Sequence, residues 1–273
     1  MSSNWLWHND AWQAEQGLNL ADRALHYGDG LFETVRRDGQ HGIPLWGFHL
    51  ERLREGLNAL FFPAVTLERL VVALAALPKA AKRSGGKLII SRGVAERGYA
   101  IPQEAEATFI WQAFDAPSFA CTRFPLGFQA DISPVCLGNQ PRLAGIKHLN
   151  RLEQVLIRQH FAPACQEMLV LNQDGQVVEG AMSNVFWWQD DKLYTPKLDL
   201  CGVNGVVRRW LFTRRDIIEA KADAEVLLAA QGVFFCNSLN GIIPVQRLAH
   251  RQYQHDHTWQ QSLALQQELE RLF

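Results

Sequence analysis

The run Glu179-Gly180-Ala181-Met182-Ser183-Asn184-Val185-Phe186 constrains the fold more than any other stretch of the chain. Small residues directly before a β-branched and aromatic stretch place a close-packed turn ahead of a strand. Leu193-Tyr194-Thr195 follows as another short strand, and Val203-Asn204-Gly205-Val206-Val207-Arg208 opens a helix at a glycine. Glutamate, turn, strand, strand and helix start succeed one another between residues 179 and 208.

The rest of the chain reads as a mixture of strands and helices. Gly28-Asp29-Gly30 is a tight turn, Leu31–Arg36 alternates as a strand, and Asp38-Gly39 is a hairpin turn. Phe48–Phe62 is predicted as an amphipathic helix with Leu50, Leu53, Leu57 and Leu60 on one stripe, and Leu67–Leu77 as a second helix stopped by Pro78. Lys87–Arg92 and Thr108–Phe114 are strands. Asp115-Ala116-Pro117-Ser118 has linker chemistry. The expected organisation is a small α+β domain over residues 1–115, a connector over 116–122 and a larger domain over 123–273. In that second part Leu149–Phe161, Gly205–Ile218 and Trp259–Leu272 are predicted helices. Met168–Leu171, Val177-Val178, Val185–Trp188, Lys192–Tyr194 and the pair Val233–Cys236 and Ile242–Gln246 are predicted strands.

Composition excludes several classes. A net charge of −1 gives no basic face for nucleic acid, and the longest apolar stretch, Leu70–Leu77, is far short of a membrane span. Met1-Ser2-Ser3-Asn4-Trp5 lacks a basic region followed by an apolar core, so no signal peptide is expected. Five scattered cysteines fit reduced thiols and a cytoplasmic setting. His250, His255 and His257 lack the acidic or thiol context of a metal site, so none is expected. Ser84-Gly85-Gly86-Lys87-Leu88 is not a phosphate-binding P-loop, and no G-x-S-x-G elbow occurs.

Lys147 lies in Leu143-Ala144-Gly145-Ile146-Lys147-His148-Leu149-Asn150, an apolar, glycine-containing run just before a predicted helix. A lysine that attacks a carbonyl must spend time neutral, which an apolar or cation-rich setting promotes. Glu179 suits a planar ligand: a carboxylate facing a pyridine nitrogen keeps it protonated and makes the ring an electron sink. Backbone N–H groups at Val206 and Val207 can bind a phosphate at a helix start.

Residues 179–208 resemble the signature of the class IV, fold-type IV, pyridoxal 5'-phosphate (PLP) aminotransferase family: glutamate, small residue, Asn-apolar-Phe, apolar-x-Thr, then Gly-apolar-x-Arg. Asp22-Arg23-Ala24-Leu25-His26-Tyr27-Gly28-Asp29-Gly30-Leu31-Phe32-Glu33 is similar to the family's opening segment, His49-Leu50-Glu51-Arg52-Leu53 to its phosphate-binding arginine motif, and Asn237-Ser238 with Ile243-Pro244-Val245 to its last cofactor contact. The resemblance covers nearly the whole chain. It implies a two-domain α+β fold like that of D-amino-acid aminotransferases, a homodimer, and PLP held as a Schiff base on Lys147. It implies Arg52, Val206, Val207, Asn237 and Ser238 at the phosphate, Glu179 at the pyridine nitrogen and Asn184 among the cofactor contacts. Ala144–Gln154, Ile90-Ser91-Arg92-Gly93 and Arg97-Gly98-Tyr99 are most similar to members that convert 4-amino-4-deoxychorismate to 4-aminobenzoate and pyruvate for folate synthesis. Such a substrate carries two carboxylates, for which Arg97 and Arg92 are the candidates. Phe32 stands where some relatives place a tyrosine. An aminotransferase acting on D-amino or branched-chain amino acids, and a non-catalytic PLP-binding protein, stay open as alternatives.

Overall fold

The computed structural model describes residues 3–14, 17–37, 42–77, 84–102 and 105–273. The Asp38-Gly39 turn and Pro78 lie outside them. The chain forms two compact units: Met1–Ala116 with Ile146–Asn150, and Pro117–Gly145 with Arg151–Phe273. The segment bearing Lys147 therefore groups with the first unit, although the sequence pattern places it in the second domain.

Unit 1 contains β1 (Ser3–His8), β2 (Ala11–Ala14), α1 (Arg23–Tyr27), β3 (Gly30–Arg37), α2 (Trp46–Ala59), α3 (Val65–Ala75), β4 (Ser84–Ser91) and β5 (Thr108–Asp115). The strands form one antiparallel sheet in the order β2-β1-β5-β4-β3. Leu31 and Val35 of β3, Leu53 and Leu57 of α2, Leu70 of α3, Ile90 of β4 and Trp111 of β5 share its core. The buried stripe of α2 is His49, Arg52, Leu53, Gly56 and Leu57, whereas Leu50 and Leu60 are only half-buried. The leucine spacing thus finds the helix but misplaces part of its inner face, because charged partners from β3 draw polar residues inward. Trp5, Trp7 and Trp12 pack on this core: Trp7 is buried, and Trp12 donates its indole N–H to Ala73 O at 2.8 Å.

Unit 2 contains α4 (Ala120–Arg123), β6 (Phe128–Ile132), α5 (Leu152–Gln159), β7 (Glu167–Leu171), β8 (Val177–Gly180), β9 (Asn184–Gln189) and β10 (Lys192–Pro196). It continues with α6 (Val206–Phe212), β11 (Ile217–Ala220), α7 (Ala224–Ala229), β12 (Gly232–Asn237), β13 (Gly241–Leu248), β14 (Arg251–Gln252) and α8 (His257–Glu270). Its sheet runs β11-β10-β9-β12-β13-β6-β7-β8, with β14 paired to β13. Leu169, Val185, Trp187, Val233, Phe235, Ile243 and Val245 fill one core. Two predicted helices are shorter than expected. Residues 149–151 lie ahead of α5, and α6 ends at Phe212, after which Ile217 and Ile218 pair in parallel with Leu193 and Tyr194. β-branched Ile217 and Ile218, in a sheet register, outweigh the apolar periodicity that would extend α6.

No helix among the described residues is long and apolar enough to cross a membrane.

Candidate active site

In unit 1 the site residues rest on β3 and α2. Alternation along β3 turns Leu31, Glu33 and Val35 inward. His49 and Arg52, three residues apart on α2, occupy one face and meet the buried Glu33 carboxylate. Arg52 donates from Nε to Glu33 Oε1 at 2.8 Å and from Nη2 to Oε2 at 2.5 Å. His49 Nδ1 lies 2.7 Å from Glu33 Oε2. Burial alone would raise the Glu33 carboxyl, but Arg52 and His49 outweigh it and hold it down to about 2. Burial pushes His49 below its usual value despite Glu33, and Arg52 and Lys147 push it the same way. An acceptor-only carboxylate facing a neutral imidazole fixes the tautomer with the proton on Nδ1.

Lys147 is presented by an extended segment that precedes α5 in the chain. Phe32 N–H donates to Lys147 O at 3.0 Å, Leu149 N–H donates to Gly30 O at 3.0 Å, and His148 pairs with Leu31. Asn150 Nδ2 closes the segment by donating to Gly28 O at 3.1 Å. The Lys147 ammonium sits over the Phe32 ring, 4.3 Å from its centroid, which a cation–π contact favours.

The two candidate arginines part company. Arg92 is buried and its guanidinium is engaged: Nε donates to Asp29 Oδ2 at 2.8 Å, Nη2 to Leu60 O at 2.6 Å and Nη1 to Phe61 O at 3.3 Å. Through these bonds Arg92 ties the end of α2 to the turn before β3. Burial would raise Asp29, but Arg92 and Arg23 hold its carboxyl below the usual value. Arg97 is exposed on a loop held by Arg23 Nη1 donating to Gly98 O at 2.9 Å and by Gly98 N–H donating to Tyr27 Oη at 3.1 Å.

In unit 2 Glu179 lies near the end of β8, buried, with Oε2 accepting from Val203 N–H at 2.8 Å. Asn184 grips the same loop from the other side: Nδ2 donates to Val203 O at 2.7 Å and Oδ1 accepts from Gly205 N–H at 3.0 Å. A Cβ at Gly205 would lie 2.1 Å from Asn184 Oδ1, so the glycine that opens α6 is required by close approach. Asn184, expected among the cofactor contacts, thus shapes the loop that leads into α6. Gly145 N–H donates to Gly202 O at 2.9 Å and Asn204 N–H to Gly145 O at 3.1 Å, which pins the same loop. Val206 and Val207 are the buried first residues of α6. Arg208, the last residue of the motif, donates to Pro196 O at 3.0 Å and to Glu219 Oε1 at 2.6 Å and so secures β10 and β11. Asn237 Nδ2 donates to Met182 O and to Ser183 Oγ, each at 3.2 Å, and Ser238 follows in the turn after β12. Sequence reasoning missed the structural roles of Glu33, His49 and Glu167; their only signal is an isolated acid or histidine inside an apolar pattern. The described residues hold no cluster of histidine, cysteine and carboxylate able to bind a metal.

The family model of class IV amino-transferases matches residues 30–248. An aminodeoxychorismate lyase of Vibrio harveyi is 34% identical over 239 residues, covering 84% of this chain and 87% of that protein. The crystal structure of 4-amino-4-deoxychorismate lyase from Pseudomonas aeruginosa superposes with a TM-score of 0.86 at 34% identity, covering 98% of each chain. The Escherichia coli branched-chain amino acid aminotransferase shares the fold, with a TM-score of 0.84 at 21% identity over 99% of this chain and 95% of that one. Fold and sequence together define a fold-type IV enzyme. The chain belongs to the class IV amino-transferase family.

Proposed function

We propose that this enzyme is a PLP-dependent 4-amino-4-deoxychorismate lyase that forms 4-aminobenzoate and pyruvate. The observation that carries this reading is the 34% identity to the Vibrio harveyi lyase over 239 residues, against 29% over 159 residues to a probable branched-chain-amino-acid aminotransferase of Thermotoga maritima and 26% over 251 residues to the D-alanine aminotransferase of Bacillus licheniformis. The donor set fits PLP. A buried carboxylate suits a protonated pyridine nitrogen, and a guanidinium, two N–H groups at a helix start and a hydroxyl suit a phosphate. Gly205, having no Cβ, lets the Asn184 amide close on the loop that leads into Val206 and Val207.

When bound, PLP supplies a protonated ring that accepts the electron pair left on the substrate carbon. Lys147 Nζ would hold the cofactor and, when free, would take the proton from the substrate carbon that bears the amine. Glu179 keeps the ring nitrogen protonated. Arg52, Val206, Val207, Asn237 and Ser238 hold the phosphate, and Arg97 orients a substrate carboxylate. The ring C–O bond would then break, enolpyruvate would leave with its oxygen and take up a proton to become pyruvate, and the aromatic ring left behind would drive the reaction forward. The same reading carries a homodimer and a cytoplasmic setting. Exposed Leu152, Val155 and Leu156 on α5 supply apolar surface for a subunit contact, checked by light scattering.

The test is pyruvate release. Purified protein with PLP and 4-amino-4-deoxychorismate should release pyruvate with no added keto acid. Strict dependence on a keto acid would identify an aminotransferase instead. Lys147→Ala should lose both the visible absorbance and turnover.

A further inference from the structure

Glu167 opens β7 with a side chain that solvent does not reach, and the chemistry proposed above makes no use of it. A buried carboxylate is costly unless its oxygens are met by donors. Here they are met. Oε1 accepts from the N–H groups of Met168 at 3.0 Å and Ala181 at 2.9 Å, and Oε2 accepts from Ser183 Oγ at 2.6 Å. Burial still raises the carboxyl to about 7, against the Ser183 hydroxyl and the N–H groups of Met168, Ala181 and Met182.

Apart from Met168 N–H, these donors come from the turn that follows Glu179. Gly180 N–H donates to Ser183 O at 2.6 Å, which closes that turn. Glu167 packs beneath it so closely that a Cβ at Gly180 would lie 2.9 Å from Glu167 Cδ, which explains the glycine next to Glu179. The hydrogen bonds then run outward. Ser183 has one hydroxyl proton and gives it to Glu167, so Ser183 Oγ accepts from Asn237 Nδ2 at 3.2 Å. Asn237 Oδ1 in turn accepts from Leu239 N–H at 3.0 Å and Asn240 N–H at 2.7 Å. While Glu167 is ionised, its acceptor-only oxygens set the direction of each bond as far as the turn that contains Ser238.

We propose that Glu167 is a positioning residue that, through the Ser183 hydroxyl and the Asn237 amide, locks the turn after Glu179 to the turn around Ser238, so that ring and phosphate contacts keep one fixed spacing. The inference rests on the cofactor reading above for what the two turns hold.

The experiment compares wild type, Glu167→Gln, Ser183→Ala and the double variant, reading the dissociation constant of PLP and the phosphorus NMR shift of the bound phosphate. Gln keeps the size of Glu but presents an N–H group where Ser183 needs an acceptor. Each single variant should weaken binding about tenfold, as loss of a charge-assisted hydrogen bond does, and should move the phosphorus resonance. The double variant should be no weaker than the worse single one, since both cut the same relay. Unchanged binding and resonance in a folded single variant, or losses that add, would overturn the proposal. If Glu167→Gln does not fold, Ser183→Ala, which removes only a hydroxyl, decides between the two outcomes. A wild-type protein that takes up no PLP refutes the cofactor reading instead. Amide exchange at Leu239 and Asn240 then decides the relay: faster in Ser183→Ala supports it, and unchanged rates sink it.

Discussion

Arg52 grips Glu33 through two parallel N–H···O bonds inside the core of unit 1, with both side chains almost fully shielded from water. A charge pair in such a place is stabilising only while both members are present. The arrangement leaves α2 with a fixed guanidinium close to the β3 backbone that pairs with the Lys147 segment.

Acid titration should expose this pair. The folded Glu33 carboxyl sits at about 2, below its ordinary value of 4.5, so its ionised form favours the folded state. That contribution is complete above pH 4.5 and is lost as the pH falls from there toward 2, a change on the order of 3 kcal/mol. Glu33→Gln should flatten the stability curve over that window. It should also cost about 3–5 kcal/mol at neutral pH, because Arg52 is left buried without its partner. Denaturant titrations at several pH values check both; a Gln variant that keeps the wild-type acid slope refutes the assignment.

Arg92 and Arg97 should separate cleanly. Arg92→Ala removes the links to Asp29, Leu60 and Phe61, and should lower stability by about 2–4 kcal/mol. Arg97→Ala should leave the melting temperature within a degree or so of wild type, as exposed loop substitutions do, and raise KM for the dicarboxylate substrate about tenfold. Equal losses of stability in the two variants would contradict this division.

Gly205→Ala should distort the loop into α6. Its Cβ would meet Asn184 Oδ1 at 2.1 Å, an overlap expected to cost about 1–3 kcal/mol. Asn184→Ala removes the obstruction along with two hydrogen bonds, so the double variant should lose less than the sum of the singles. Strict additivity in thermal unfolding would show that the contact does not govern the loop.

Much of this fold is legible from sequence. Strict alternation in Leu31–Arg36 and the β-rich runs around Val185 and Val233 give strands near where they occur, because each has one or both faces buried. The failures have a common cause. Leu149 continues an apolar period that belongs to α5, yet its backbone N–H is claimed by Gly30 of β3, which no local pattern reveals. Lys147 and Glu179 stand out through motif spacing, whereas Glu33 and Glu167 depend on donors 19 and 16 positions away, at Arg52 and Ser183. Pairings at that distance are set by tertiary packing, and in the sequence such acids look like surface residues.

The short stretch around Lys147 has a second duty. β3 is the last strand of its sheet, and residues 147–149 bond to its open side. An uncovered end strand offers its N–H and C=O groups to any other chain. Lys147, His148 and Leu149 thus also shield that part of the border from intermolecular pairing. A fragment ending at Ala116 would lack this cover and should self-associate, while a synthetic peptide of residues 145–151 added to it should restore solubility.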